Sequence, residues 1–182
     1  LLRSMVPVAQ NLQLKLQPTC EEIQAVMREL VGMSNKFSNL KMIKCEANPP
    51  DESIKRVTQL SNNKVETLIG WGGIHWKSGA QAGAKGIQPG CSLTDLYLWA
   101  EQALLSNDLV EFESRLGKFL PTITEWIATV EELVAAEKYV LAARGIIESD
   151  YCRAPTVEVS QKVKDQAKVL IDLADNLSAL SI

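Results

Sequence analysis

The sequence is poor in residues that several classes of protein require. Its 182 residues include one histidine, His75, and carry a formal net charge of −3 without a cluster of lysine or arginine. A chain with no basic patch lacks the electrostatic footprint of nucleic-acid or anionic-membrane binding. A single imidazole leaves little material for a histidine-based metal site or a Ser-His-Asp triad. We therefore expect no metal site, no nucleic-acid partner and no membrane partner.

Long apolar runs and paired cysteines are also missing. No run approaches the roughly 18 apolar residues of a membrane helix, and the first residues show no secretory signal pattern. The four cysteines form no C-x-x-C pair, which disfavours structural zinc and a disulfide framework; they are Cys20, Cys45, Cys91 and Cys152. Free thiols indicate a reducing compartment, so we predict a soluble, cytoplasmic protein.

The apolar content suits a folded chain. Hydrophobic residues make up 46% of the sequence and charged residues 23%. A domain of this length buries roughly 70% of the surface that its unfolded chain exposes. The chain opens with the apolar run Leu1–Pro7, which predicts a strand without a polar preamble. We therefore expect the sequence to be a piece of a longer one.

Strand patterns alternate with helical patterns over the first half of the chain. Thr19 is the expected N-cap of a first helix that ends near Gly32. Further strands are predicted at 40–45, 65–69 and 83–88, and further helices at 51–60 and 74–81. From Ser92 onward the pattern is wholly helical, with predicted helices at 93–105, 109–127, 130–147 and 157–180.

This alternation predicts right-handed βαβ units and a parallel sheet. A complete (β/α)8 barrel needs about 250 residues, so four units cannot close one. The expected fold class is α/β, half of a barrel followed by a C-terminal helical extension. We expect the side chains around Ile43, Ile69 and Ile87 to point into the barrel.

Lys44 is the first candidate for chemistry. It ends a predicted buried strand, directly before a loop that contains Glu46. The chemistry of α/β barrels lies at that end of the strands. Desolvation favours the neutral amine of a lysine, which can attack a ketone to give a Schiff base. The residues alone leave open a solvated strand-end lysine or one paired with Glu46.

Glycines follow the next two strands. Those of the segment 70–73 would let a ligand carboxylate approach backbone N–H groups at a helix start, although an ordinary tight turn fits equally well. The glycines at 83, 86 and 90 bracket the last strand in the same way. Other polar and aromatic positions are interpreted structurally: surface or packing residues (His75, Trp76), core or subunit contacts (Tyr97, Trp99, Trp126, Tyr139) and a solvated helix face (Glu131, Glu132, Glu137, Lys138).

Several of these segments follow one another in an order that is known from a family. They are Met42–Glu46, Leu68–Gly70, Gly83–Ile87, Glu137–Ile147 and Cys152–Pro155. Together they resemble the dihydrodipicolinate synthase / N-acetylneuraminate lyase family of class I aldolases. The first is similar to the strand with the Schiff-base lysine, the next two to the seventh and eighth strands, and the last two to the C-terminal tail.

The resemblance implies the C-terminal portion of a (β/α)8 barrel. Residues 1–92 would hold about strands 5 to 8, and residues 93–182 the last barrel helix and a C-terminal helical region. The missing N-terminal half would lie in the same or another chain, and the protein would be a homo-oligomer. The Tyr-Asn-x-Pro strand of the family falls on Ser4–Pro7, where the proline matches and Ser4 replaces the tyrosine.

The implied function is that of a lyase acting on pyruvate or a related 2-oxo acid, by aldol cleavage, condensation or dehydration. Lys44 would form the imine, and Ser4 would take part in proton transfer. The substrate would be bordered by Gly70, Trp71, Gly86 and Ile87. The resemblance implies no metal and no organic cofactor. The alternative is a non-catalytic or truncated homologue that serves in assembly with another chain.

Overall fold

The structure, a computed structural model, describes residues 20–47 and 50–179. The expected first strand and Ser4 lie outside these residues. The chain divides into two compact units, with the boundary between Gln88 and Pro89. The first unit contains α1 (Cys20–Lys36), β1 (Met42–Cys45), α2 (Pro50–Ser61), β2 (Glu66–Ile69), a 3₁₀ turn (Trp71–Gly73), α3 (Trp76–Gln81) and β3 (Gly86–Ile87).

The first unit is built on a parallel sheet in which β1, β2 and β3 are neighbours in chain order. Lys44 lies opposite Leu68, which in turn lies opposite Gly86. A helix follows β1 and another follows β2, so the predicted βαβ units are confirmed for the three strands in the described ranges. The fourth predicted strand lies outside them.

The two faces of this sheet differ in exposure. Cys45, Thr67 and Ile69 are buried, whereas Lys44 lies on the exposed face. Alternation of side chains along a strand accounts for the pattern. Helix α2 packs against β1 and β2. The expectation that Ile69 points into a barrel is wrong, because a Cβ added at Gly79 of α3 would lie 2.3 Å from Ile69 Cδ1. Ile69 therefore belongs to the helix-covered face.

The second unit is helical among the residues described. It contains α4 (Thr94–Leu105), α5 (Leu109–Leu116), α6 (Leu120–Trp126), α7 (Val130–Ala143) and α8 (Gln161–Ala179). Its core includes Phe112, Phe119 and Val140, all with no exposed surface. Of the aromatic residues expected to pack, Tyr97 and Trp126 are buried. No helix in the described ranges combines the length and apolar character that crossing a membrane requires.

Several helix ends differ from the sequence-based prediction. Helix α1 continues past Gly32 to Lys36, and the helix predicted at 109–127 is two helices, separated around Gly117. Helix α7 ends at Ala143, not near Ile147, because Gly145 takes a left-handed φ of +70°. Two backbone bonds then close a Schellman cap, Gly145 N–H to Ala142 O and Ile146 N–H to Leu141 O, both 2.9 Å.

Glu137 was expected on a solvated face and is a structural residue. Its side-chain Oε2 accepts a hydrogen bond from the backbone N–H of Ser92 at 2.9 Å. A Cβ at Gly90 would lie 2.2 Å from Glu137 Oε1, so the carboxylate occupies the space that Gly90 leaves. Its neighbour Lys138 also has a partner, donating to Tyr151 O at 2.6 Å. The charge of Glu137 and Lys138 predicts a solvated helix face, but it does not show that both side chains have hydrogen-bond partners.

Candidate functional site

Lys44 stands one residue before the carboxyl end of β1, on the exposed face of the sheet. Its side chain is 35% exposed. In register, Leu68 and Gly86 continue the same row across β2 and β3. Parallel strands end at one common edge, so Lys44 and Gly86 lie on one face near that edge. Gly86 has no side chain, and this leaves the row open beside Leu68.

The amine of Lys44 is paired with a carboxylate. Its Nζ lies 2.9 Å from Glu46 Oε1, and the Glu46 side chain is 21% exposed. The pairing that the residues alone left open is therefore present. An ion pair with this much exposure contributes on the order of 1 kcal/mol or less to stability. The ion pair matters more for chemistry than for stability. It places a proton acceptor, the Glu46 carboxylate, within hydrogen-bond distance of the Lys44 amine.

Gly70 makes room for that carboxylate. It follows β2 directly and is buried, and its N–H donates to Cys45 O at 3.3 Å. A Cβ built at Gly70 would lie 2.2 Å from Glu46 Oε1 and 2.6 Å from Glu46 Cδ. The carboxylate in contact with Gly70 is thus one of the protein's own. Contact between Gly70 and a substrate stays a prediction.

Trp71 holds the main chain of the same segment. Its indole Nε1–H donates to the backbone carbonyl of Glu46 at 2.9 Å. Trp71 has a φ of +51°, a conformation that costs a non-glycine residue about 1–3 kcal/mol. The indole is 41% exposed. Trp71 therefore joins the residue after β1 to the turn after β2 and presents an aromatic surface to solvent.

The segment 70–73 forms a closed turn. Gly73 N–H donates to Gly70 O at 3.0 Å, and Ile74 N–H donates to Trp71 O at 3.1 Å. Gly72 and Gly73 have φ values of +55° and +85°, which glycine adopts without strain. Two of the N–H groups that could have met a ligand carboxylate therefore bond within the turn. This geometry is that of the tight strand-to-helix turn, the alternative interpretation of these glycines.

The structure brings together some of the predicted site residues and separates others. Lys44 and Gly86 share a row, and Gly70 and Trp71 surround Glu46. Ile87 lies opposite Ile69 in register, which assigns its side chain to the face opposite Lys44. The sequence pattern indicates Glu46 only as an ion-pair partner of Lys44. The signal for a larger role is its spacing of two residues from Lys44 at a strand end.

Cys45 adds no second nucleophile to this edge. Its side chain is buried, and burial raises the pKa of the Cys45 thiol from 9.0 to about 12. The reactive form of cysteine is the thiolate, so this thiol is inert near neutral pH. The expected free thiols are confirmed for Cys45, Cys91 and Cys152. Within residues 20–47 and 50–179, no group of three or more His, Cys, Asp or Glu side chains is placed to hold a metal ion.

Neither a family sequence model nor a curated protein matches the chain. Solved structures do. The chain is similar to dihydrodipicolinate synthase from Rhodopseudomonas palustris, with 21% identity and a TM-score of 0.62 over 72% of this chain and 44% of that one. It is also similar to dihydrodipicolinate synthase from Thermotoga maritima, with 19% identity and a TM-score of 0.60 over 82% of this chain and 51% of that one.

The chain has the fold of part of a dihydrodipicolinate synthase. The resemblance inferred from the motifs is confirmed at the level of fold, and the partial α/β architecture agrees with a fragment of a TIM barrel. The chain spans about half the length of the two synthases. At this level of identity the similarity concerns the fold, so it assigns neither the reaction nor the substrate.

Proposed function

We propose that this chain belongs to a lysine-dependent lyase that acts on pyruvate or a related 2-oxo acid. One observation carries the proposal. The amine of Lys44 lies at the carboxyl edge of a parallel sheet that matches part of a dihydrodipicolinate synthase, with a carboxylate 2.9 Å away. The carboxyl edge is where α/β barrels perform their chemistry. A lysine there, next to a proton acceptor, suits imine formation.

Lys44 would attack the ketone carbon of the 2-oxo acid, and loss of water would give a protonated imine. The imine would draw electrons from the neighbouring bond and so permit carbon–carbon cleavage, condensation or dehydration. Gly86 lies in the same row as Lys44 and has no side chain, so it would leave space for the substrate. Ile87 would border the substrate with its backbone, since its side chain belongs to the other face. This reaction needs no metal or organic cofactor.

Gly70 and Trp71 would border the substrate at the turn after β2, and Ser4 stays a proposed proton carrier. The exposed indole of Trp71 offers a surface for the apolar part of the substrate. Ser4 occupies the position of the family tyrosine in the sequence and lies outside the described residues. We further propose a cytoplasmic homo-oligomer in which the remaining half of the barrel comes from the same or another chain.

Trapping with borohydride tests this function. The protein is incubated with pyruvate and reduced with sodium borohydride, and its intact mass is measured by mass spectrometry. We expect the mass of one reduced pyruvate adduct in the unaltered protein and in Lys41→Arg, and none in Lys44→Arg. Arginine stays protonated and cannot form the imine. Lys41 is a matched control because it is an exposed lysine three residues away.

A role in assembly without catalysis is the second candidate. Among the described residues, β1 pairs only with β2, so one edge of the sheet is open. An open edge is a template for a strand of another chain. A stable complex with a complementary barrel half, together with no adduct from any 2-oxo acid, would favour this alternative over the lyase.

A further inference from the structure

Glu46 contacts the reacting atom of the proposed site directly. Its Oε1 lies 2.9 Å from Lys44 Nζ, and both side chains are partly shielded from solvent. We propose that Glu46 is the acid–base catalyst of imine formation, which takes a proton from Lys44 and returns it to the oxygen of the substrate. This inference rests on the proposed function of Lys44 and adds to it a residue for the proton transfer.

The surroundings of Glu46 fix both its main chain and its carboxylate. The backbone carbonyl accepts the indole N–H of Trp71 at 2.9 Å. The carboxylate occupies the space where Gly70 has no side chain, as any Cβ there would overlap Oε1, Cγ and Cδ. Two neighbours on another strand end thus position one carboxylate against one amine. An ion pair between freely moving surface side chains contributes little, whereas the contacts of Gly70 and Trp71 restrict where Glu46 can lie.

The proton balance works with this one carboxylate. Glu46 takes a proton from the Lys44 ammonium, and the neutral amine forms a bond to the ketone carbon while the carbonyl electron pair moves to oxygen. Glu46 gives its proton to that oxygen and then removes one from the nitrogen. It returns this proton to the hydroxyl group, which leaves as water. The products are the protonated imine and the Glu46 carboxylate, which remains as its counterion.

Another carboxylate on these strands provides a control. Glu66 is exposed and lies opposite Met42, at the far end of β2 from Lys44. Glu66→Gln removes the same charge as Glu46→Gln but leaves the 2.9 Å contact between Lys44 Nζ and Glu46 Oε1 in place. Any difference between the two variants therefore reports on position rather than on net charge.

The experiment measures the rate at which pyruvate is trapped by borohydride on the whole protein. We expect Glu46→Gln to lower the rate of adduct formation by about 100-fold or more, in line with general acid–base catalysis. Glu46→Asp should retain part of the rate, and Glu66→Gln all of it. Added formate should raise the rate of Glu46→Ala, which a purely structural role would not explain. Circular dichroism confirms the fold of each variant.

The outcomes separate this inference from the function on which it rests. If the unaltered protein forms the adduct and Glu46→Gln forms it equally fast, Glu46 is not the acid–base catalyst, while the role of Lys44 stands. If the unaltered protein forms no adduct, the proposed function fails and the inference fails with it. If Glu46→Gln does not fold, Glu46→Ala decides, and a rate equal to that of the unaltered protein, or no gain in rate with formate, overturns the proposal.

Discussion

Gly70 determines where the Glu46 carboxylate lies. Because a Cβ at Gly70 would overlap only the flexible side chain of Glu46, we expect Gly70→Ala to fold with the carboxylate displaced from Lys44. The rate of borohydride trapping with pyruvate should then fall by at least about 10-fold, although no charge is removed. A crystal structure of the variant would show the lengthened distance between Lys44 Nζ and Glu46 Oε1.

Gly32→Ala is the matched control for this substitution. Gly32 lies in α1, and a Cβ there would meet nothing within 4 Å. It should trap pyruvate at the rate of the unaltered protein and gain up to about 1 kcal/mol in stability, since alanine favours a helix over glycine. A Gly70→Ala protein that traps pyruvate as fast as Gly32→Ala would show that the position of the carboxylate does not matter.

The Cys45 thiol should react only after unfolding. Burial holds its pKa at about 12, so the folded protein keeps the proton between pH 9.0 and 12 while the unfolded chain releases it. The free energy of unfolding therefore falls as pH rises through that window. At pH 8, iodoacetamide should label the exposed Cys91 and leave Cys45 unmodified until urea is added. Equal labelling of both in the folded protein would contradict the burial of Cys45.

At the scale of residues, the sequence located Lys44 and its candidate partner but not their surroundings. Strand-end position and spacing are local properties, and both could be read from the pattern. The contact of Gly70 with Glu46 joins residues that follow two different strands and depends on the register of those strands. The face of Ile69 was predicted wrongly for the same reason. Alternation defines two faces, but only the packing of α3 shows which one the helices cover.

At the scale of elements, one arginine joins the end of α7 to the start of α4. Arg144 is the C-cap residue of α7, and its guanidinium donates to Ser92 O at 2.6 Å and to the carboxylate of Asp95. Glu137, two turns earlier, holds the N–H of the same Ser92. These contacts fix the entry to α4 within the second unit.

Removing this arginine should destabilise the second unit. We expect Arg144→Met to lower the free energy of unfolding by about 1–3 kcal/mol, because Ser92 O and Asp95 lose a charged donor. Arg153→Met, at an exposed position beyond α7, should change it by less than about 0.5 kcal/mol. Urea unfolding of the protein assembled with the remaining half of the barrel, followed by circular dichroism, measures both. Equal stability of the two variants would show that the contacts of Arg144 contribute nothing net.

The types of the elements followed from periodicity, while their ends depended on caps. The alternation of strands and helices predicted from the sequence is present in the structure, where helices separate β1, β2 and β3. Helix α8 begins at Gln161 rather than near Val157, because Ser160 caps it through Val163 N–H at 3.3 Å. Gly145 ends α7 in a Schellman cap. Each of these helix ends depends on a single capping residue, which the spacing of the apolar residues does not reveal.

At the scale of the whole molecule, the described residues leave one face and one edge of the sheet exposed to solvent. The exposed face carries Met42, which is 47% exposed, and β1 pairs on one side only among these residues. At about 25 cal/mol per Å², a few hundred Å² of uncovered apolar surface costs several kcal/mol. This approaches the roughly 5–15 kcal/mol of a whole domain.

The 182 residues alone should therefore not form a stable monomer. We expect the isolated chain to self-associate or to melt without a sharp transition, and to gain a cooperative melt when the remaining half of the barrel is supplied. Sedimentation and differential scanning calorimetry measure both properties. A sharp cooperative melt of a chain shown to be monomeric would contradict this expectation.

In the proposed function, one lysine at the carboxyl edge of this sheet, Lys44, forms the imine. A peptide map of the protein reduced with borohydride in the presence of pyruvate tests it most directly, because the other lysines of the same molecule serve as controls. We expect the reduced pyruvate adduct on the peptide that contains Lys44 and none on those containing Lys41 or Lys85 alone. An adduct spread evenly over the three lysines, or absent from Lys44, would contradict it.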